Sequence, residues 1–125
     1  MKLFTPVRLG ALELQNRMVM APLTRRRAGA DGVPSPAARL YYEQRAEAGL
    51  IVSEGTCISP EGVGDRRLPG LWSDEQIAAW REITRAVHDR GGRIGAQLWH
   101  TGRASHPRLQ PGGAPAVAAS AIAIE

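Results

Sequence analysis

Val7-Arg8-Leu9 and Leu12-Glu13-Leu14 alternate apolar and polar residues around Gly10-Ala11, the pattern of a short hairpin over 7–14. Met18-Val19-Met20-Ala21 is apolar throughout and stops at Pro22, which predicts a strand near 17–21 buried on both faces. A loop comes next, with three arginines, two glycines and Pro34. Ser35-Pro36-Ala37 then opens a helix, because serine caps well and proline suits the first turn. Ala37, Leu40, Tyr41, Gln44 and Ala48 fall on one helical face, and Gly49 is the expected stop. Leu50-Ile51-Val52-Ser53 predicts a second buried strand, near 50–54. Gly55 to Trp72 carries Pro60, Gly62, Gly64, Pro69 and Gly70 and reads as a long loop, a kind of segment that is usually functional. Ser73-Asp74-Glu75-Gln76 is a capping-box pattern. Ile77, Trp80, Ile83 and Val87 then share a helical face, and Gly91-Gly92 ends it. Arg93 to Leu98 predicts a third strand, near 94–98, weakened by Gly95. Thr101 to Pro115 is loop, and Ala114 to Ile124 is alanine-rich with no decisive period.

The predicted order is a hairpin and then β-α-β-α-β. Strands alternating with helices imply parallel strands joined by right-handed crossovers. Doubly wound sheets and (β/α)8 barrels both begin this way, and in both the ligand gathers at the carboxyl ends of the strands. That rule selects Pro22-Leu23-Thr24, Glu54-Gly55-Thr56 and Gln97-Leu98-Trp99-His100, which should lie side by side on one face.

The chain has 125 residues, 43% hydrophobic and 22% charged, which is one modest domain and not a disordered chain. No run of about 18 apolar residues exists to span a membrane, and the first residues show no signal-peptide pattern. Cys57 is the single cysteine, so no internal disulfide can form, and a reducing cytoplasm is expected. A net charge of +4 favours anionic ligands only weakly.

At the three selected spots, Thr24 offers a hydroxyl, Gly55 an unobstructed backbone, Gln97 an amide and Trp99 a flat apolar wall. A heteroaromatic ring with carbonyl and N–H edges suits this set. No phosphate-binding loop and no strand leading into G-x-G-x-x-G is present, which counts against a nucleotide-binding half of a doubly wound domain. The plain structural alternatives are a turn threonine, a backbone glycine, a strand-end glutamine and a core tryptophan. Arg25-Arg26-Arg27 lacks the aromatic and basic context of a nucleic-acid site and reads as a solvated loop. His100, His106 and Cys57 lack zinc spacing. His100 and Arg103 are expected to hold the loop after the third strand, and His88 suits a helix C-terminus. Cys57 is expected to be a buried, inert thiol just past the second strand.

Leu14-Gln15-Asn16-Arg17-Met18-Val19-Met20-Ala21-Pro22-Leu23-Thr24-Arg25 resembles the opening of the Old Yellow Enzyme family of flavin oxidoreductases. Ser53-Glu54-Gly55-Thr56 and Gln97-Leu98-Trp99-His100-Thr101-Gly102-Arg103 resemble two further segments of that family, in the same order and spacing. The resemblance implies an α/β fold, the N-terminal part of an FMN-binding (β/α)8 TIM barrel with a β-hairpin floor. Residues 1–125 would be one segment with about three of its eight strands. It implies an ene-reductase in which NADPH or NADH reduces FMN and the flavin passes hydride to an activated alkene or nitro compound. Pro22 and Leu23 would touch the flavin through their backbone. Thr24 would hydrogen-bond near its O4, Gly55 would let an N–H approach the ring edge, and Gln97 would bond the pyrimidine edge. Trp99 would line the substrate side. In this register Asp65 stands where the family often carries an aromatic residue. The family's paired histidine or asparagine anchors, its tyrosine proton donor and its phosphate grip lie on later strands, so this chain would carry only part of the site. No nucleic acid or membrane partner is implied, and the open barrel edges invite self-association. The alternative is a non-catalytic fragment or a stand-alone oligomeric α/β fold without cofactor.

Overall fold

The computed structural model describes residues 2–124. The alternation around Gly10-Ala11 folds as the expected hairpin. β1 (Val7–Leu9) and β2 (Leu12–Leu14) pair antiparallel, with Val7 opposite Leu14. Gly10 makes the turn at φ 59°, a left-handed conformation that glycine adopts without a Cβ penalty.

Three parallel strands come after the hairpin: β3 (Val19–Met20), β4 (Leu50–Cys57) and β5 (Ile94–Trp99), adjacent in the order β3-β4-β5. Helix α1 (Pro36–Glu43) links the first two, and α2 (Asp74–Asp89) links the last two. A cleft of about 280 Å³, lined by Pro6, Glu13 and Leu14 together with Gly49 and Arg93, places the hairpin beside the amino ends of β4 and β5.

Both helices bury one face against the sheet. Ala38, Tyr42, Ala46, Ile51, Trp80, Ile83 and Val87 form one core, with Met20 and Ile94 packed against its edge. The capping box of α2 is complete. The Gln76 N–H donates to Ser73 Oγ at 3.3 Å, and the Ser73 N–H donates to Gln76 Oε1 at 3.2 Å. Gln76 is itself buried, and its amide reaches across to donate to the Asp31 carbonyl at 2.9 Å. One side chain thus starts the helix and pins the loop after β3. The far end of β5 is exposed. Leu98 shares a sheet face with Ile94, yet it is 64% exposed, with none of the described residues packed over that end of β5.

Four features differ from the sequence-based expectation. β3 holds only two residues, because the chain leaves the sheet before Pro22. The buried face of α1 is Ala38 and Tyr42, continued by Ala46 just beyond its end, whereas Ala37, Leu40 and Gln44 are exposed. Tyr42 sets this rotation. Its hydroxyl accepts a bond from the Glu54 N–H at 2.9 Å, and Leu40, two residues away, then points about 200° around the axis. Helix α1 also stops at Glu43, not at Gly49. Three-residue turns, such as Arg45 N–H to the Tyr42 carbonyl at 3.0 Å, carry the chain on. Asn16 draws that end into β4 by bonding the Glu47 carbonyl and the Gly49 N–H, each at 2.8 Å. Finally, β4 runs to Cys57 and takes in Glu54-Gly55-Thr56, because β5 lies alongside it to that point. The alanine-rich stretch 114–124 forms no strand or helix.

Candidate functional site

The carboxyl end of β4 is built around one extra residue. From Val52 to Gly55 the strand advances three residues while its partner advances two, from Gly95 to Gln97. Such a bulge bends the strand and re-aims the residues beyond it. Side chains replace the ladder bonds lost there. Ser53 Oγ accepts from the Gln97 N–H at 3.1 Å, and Thr56 Oγ1 donates to the Glu54 carbonyl at 2.8 Å. Past the bulge, Gly55 stands opposite Gln97 and Cys57 opposite Trp99.

That register brings three of the expected site residues together. Gly55 is buried beneath Trp99, and a methyl group there would collide with the indole ring. Gln97 and Trp99 share the face of β5 that Gly55 presents on β4, and both are exposed. Among the described residues, the Gln97 amide and the Trp99 indole N–H make no hydrogen bond within the chain, so both remain free for a ligand. Pro22, Leu23 and Thr24 lie exposed in the segment that leaves β3. Thr24 joins the same edge through its neighbour, since the Arg25 N–H donates to Glu54 Oε2 at 3.2 Å beside Gly55. Gly55, Gln97 and Trp99 form an open wall on one sheet face, and the Pro22–Thr24 segment is tied near its edge through Arg25. A separate cleft of about 700 Å³ is lined by Gly29–Gly32, Asp65–Leu68, Trp72 and Arg108–Pro111, and none of Thr24, Gly55, Gln97 and Trp99 lines it.

The arginine run is not simply a solvated loop. Arg25 Nη2 is ion-paired with Glu54 Oε1, and their side chains are only 11% and 4% exposed. Arg25 Nε adds a bond to the same oxygen at 3.0 Å. The guanidinium carbon lies 4.0 Å from the ring centre of Tyr41 and 5.0 Å from that of Tyr42. Burial pushes the Tyr42 phenol up to about 12, outweighing the lowering by its backbone bond to Glu54 and by Arg25. Tyr42 therefore stays neutral. Only Arg26 and Arg27 remain exposed, and Arg26 Nη2 pairs with Asp65 Oδ2 at 2.6 Å. Asp65 thus closes onto the loop after β3. The sequence pattern placed Glu54 at a strand end but gave it no role or partner. Its signal was an acid inside an otherwise buried strand, which demands a partner.

Cys57 is the last residue of β4, fully buried. Burial pushes its thiol up to about 11, so it stays protonated at neutral pH and is inert, as expected. The loop after β5 is stitched to the one after β4. Thr101 Oγ1 donates to the Gly62 carbonyl at 3.1 Å and Ser105 Oγ to the Val63 carbonyl at 2.7 Å. His100 and Arg103 serve that loop, His100 Nδ1 accepting from the Gly102 N–H and Arg103 donating to Ser120 Oγ. No cluster of metal-ligating side chains occurs among the described residues, and none of their helices is long and apolar enough to cross a membrane.

Comparison with known proteins agrees with this geometry. 12-Oxophytodienoate reductase 7 of Oryza sativa subsp. japonica is 46% identical over 119 residues, 94% of this chain and 30% of the relative. Morphinone reductase, solved in complex with tetrahydroNAD, superposes with a TM-score of 0.92 at 54% identity, over 96% of this chain and 33% of its own. The old yellow enzyme from Trypanosoma cruzi superposes with a TM-score of 0.90 at 46% identity, over 98% of this chain and 35% of its own. The chain therefore spans about a third of the length of these relatives. Its hairpin and three parallel strands are the first part of their TIM barrel. Residues 2–123 match the model of the NADH:flavin oxidoreductase / NADH oxidase family, and the chain belongs to that family.

Proposed function

We propose that this chain supplies the first wall of an FMN site in an ene-reductase that takes electrons from NADPH or NADH and reduces activated alkenes or nitro compounds. One observation carries the reading: Gly55 and Gln97 stand opposite each other at the carboxyl ends of parallel strands, beneath the Trp99 ring. A flavin ring needs a flat approach and polar partners along one edge, and this wall supplies both. The missing side chain of Gly55 lets the Trp99 ring lie flat against the strand, and the Gln97 amide can both donate and accept. Thr24 supplies a hydroxyl on the adjoining segment, able to donate to an oxygen on which charge accumulates. Trp99 excludes water from one side. When bound, FMN would supply the hydride chemistry, and these residues would orient it and tune its potential. The phosphate grip, substrate anchors and proton donor would come from the remainder of the barrel.

The test is a chimaera in which residues 2–123 replace the matching third of morphinone reductase. It is expected to bind FMN and to be reduced by NAD(P)H. Gln97→Leu should weaken FMN binding by about 5- to 150-fold, since losing the amide costs about 1–3 kcal/mol. Thr24→Ala should lower the flavin potential with little change in affinity. A folded chimaera that takes up no FMN, or a Gln97→Leu variant with unchanged affinity, contradicts the proposal.

A second reading, an oligomeric α/β fold without cofactor, is favoured by one observation. β3 and β5 are edge strands, and Val19 and Leu98 on them are 53% and 64% exposed. Unpaired edges beside apolar side chains associate. The chain alone should sediment as a dimer or larger species, and Leu98→Glu should shift it towards monomer. A wild-type chain that stays monomeric through the micromolar range, where exposed edges associate, would rule out edge association.

A further inference from the structure

We infer that Arg25 and Glu54 form a positioning clamp that fixes the Thr24 segment against Gly55. Its use in holding a flavin rests on the function proposed above. β3 and β4 pair through two residues only, Val19 with Leu50 and Met20 with Ile51. Ala21 to Thr24 are exposed, and beyond the ladder they make no backbone hydrogen bond among the described residues. The first anchor after the strand is Arg25. It holds Glu54 three ways: its N–H donates to Oε2 at 3.2 Å, Nε donates to Oε1 at 3.0 Å, and Nη2 also bonds Oε1. Glu54 is braced in turn. Its N–H donates to the Tyr42 hydroxyl at 2.9 Å, and that hydroxyl lies 3.4 Å from Oε1. Tyr41 is sandwiched, with the guanidinium carbons of Arg25 and Arg45 each 4.0 Å from its ring centre. The clamp joins the residue after Thr24 to the residue before Gly55, at the bulge that sets the Gly55 register. A buried ion pair is a poor source of net stability, because desolvation offsets most of the attraction. Its directional bonds do, however, select one arrangement of two segments that the sheet itself leaves unjoined.

That distinction sets the experiment. Amide hydrogen exchange would be followed on the full chain, alongside its thermal midpoint. Glu54→Leu alone leaves a buried guanidinium unpaired and should lower the midpoint. Arg25→Met with Glu54→Leu replaces the pair by apolar groups and should recover most of the midpoint. In that double variant the amides of residues 25 and 53–56 should still exchange at least tenfold faster than in wild type, while the Ile83–Val87 amides of α2 keep their protection. Arg26→Ala, which removes only the exposed pair with Asp65, should change neither. If the double variant regains wild-type protection at 25 and 53–56, the clamp is overturned and the pair is ordinary core. If exchange rises uniformly across the chain, the pair is a global stabiliser and the inference fails likewise. In the morphinone reductase chimaera, the double variant should lose at least fivefold in FMN affinity. Failure of the unmodified chimaera to bind FMN would defeat the functional reading while leaving the exchange result to decide the clamp.

Discussion

Trp80→Ala is expected to lower the unfolding free energy by about 3–5 kcal/mol, the usual cost of deleting a large buried ring. Trp80 is 8% exposed and its ring centre lies 6.0 Å from that of Tyr42, so it joins α2 to α1. Its indole N–H donates to the Gly70 carbonyl at 3.1 Å. Gly70 belongs to the strap that returns to β4, where the Cys57 N–H bonds the Pro69 carbonyl and the Leu71 N–H bonds the Cys57 carbonyl, each at 2.9 Å. The truncation thus opens a cavity between the helices and frees the strap behind Gly55 and Cys57. Domains of ordinary stability hold about 5–15 kcal/mol, so this single change removes a large part of it. Urea denaturation monitored by circular dichroism checks the value. Trp80→Phe should fall between, because the ring volume is largely kept while the Gly70 carbonyl loses its donor. A loss below about 1 kcal/mol for the alanine variant, the typical effect of an ordinary substitution, would show that α2 does not pack as described.

Gly49→Ala is expected to be nearly as damaging, although it adds only one methyl group. Gly49 is buried where α1 hands over to β4, and a Cβ there would overlap the carbonyl of Asn16. That neighbour is backbone and cannot swing aside. Asn16 is tied down three ways: its Oδ1 accepts from the Met18 N–H at 3.0 Å and the Gly49 N–H at 2.8 Å, and its Nδ2 donates to the Glu47 carbonyl. Overpacking usually costs about 1–3 kcal/mol, and here the collision should place the cost at or above the top of that range. Asn16→Ala should cost a similar amount by leaving those buried groups unpaired. Equilibrium denaturation reads both. The double variant should lose less than the sum of the singles, because each breaks the same joint. A Gly49→Ala protein with an unchanged midpoint would mean that the amino ends of β3 and β4 are more loosely joined than the structure has them.

Local chemistry was legible in the sequence. The hairpin arises from alternation about a glycine, the start of α2 from a capping box spanning four residues, and the first two parallel strands from short apolar runs, with the third legible more weakly because of Gly95. The parallel order came from alternating strands and helices, and the side-by-side placement of Gly55, Gln97 and Trp99 from the position of ligands in such sheets. Residues distant in sequence decided the rest. Only β5 lying alongside could extend β4 to Cys57 and insert the bulge, because a ladder bond needs a partner strand. The rotation of α1 depended on Tyr42 meeting the Glu54 N–H, a contact no helical period encodes, and so Leu40 faces solvent. Arg25 looked like one of three solvated arginines until the fold placed Glu54 beside it in a buried setting. Periodicity records which residues avoid water, whereas partners for buried charges and backbone groups are chosen by three-dimensional proximity, and that only the tertiary structure decides.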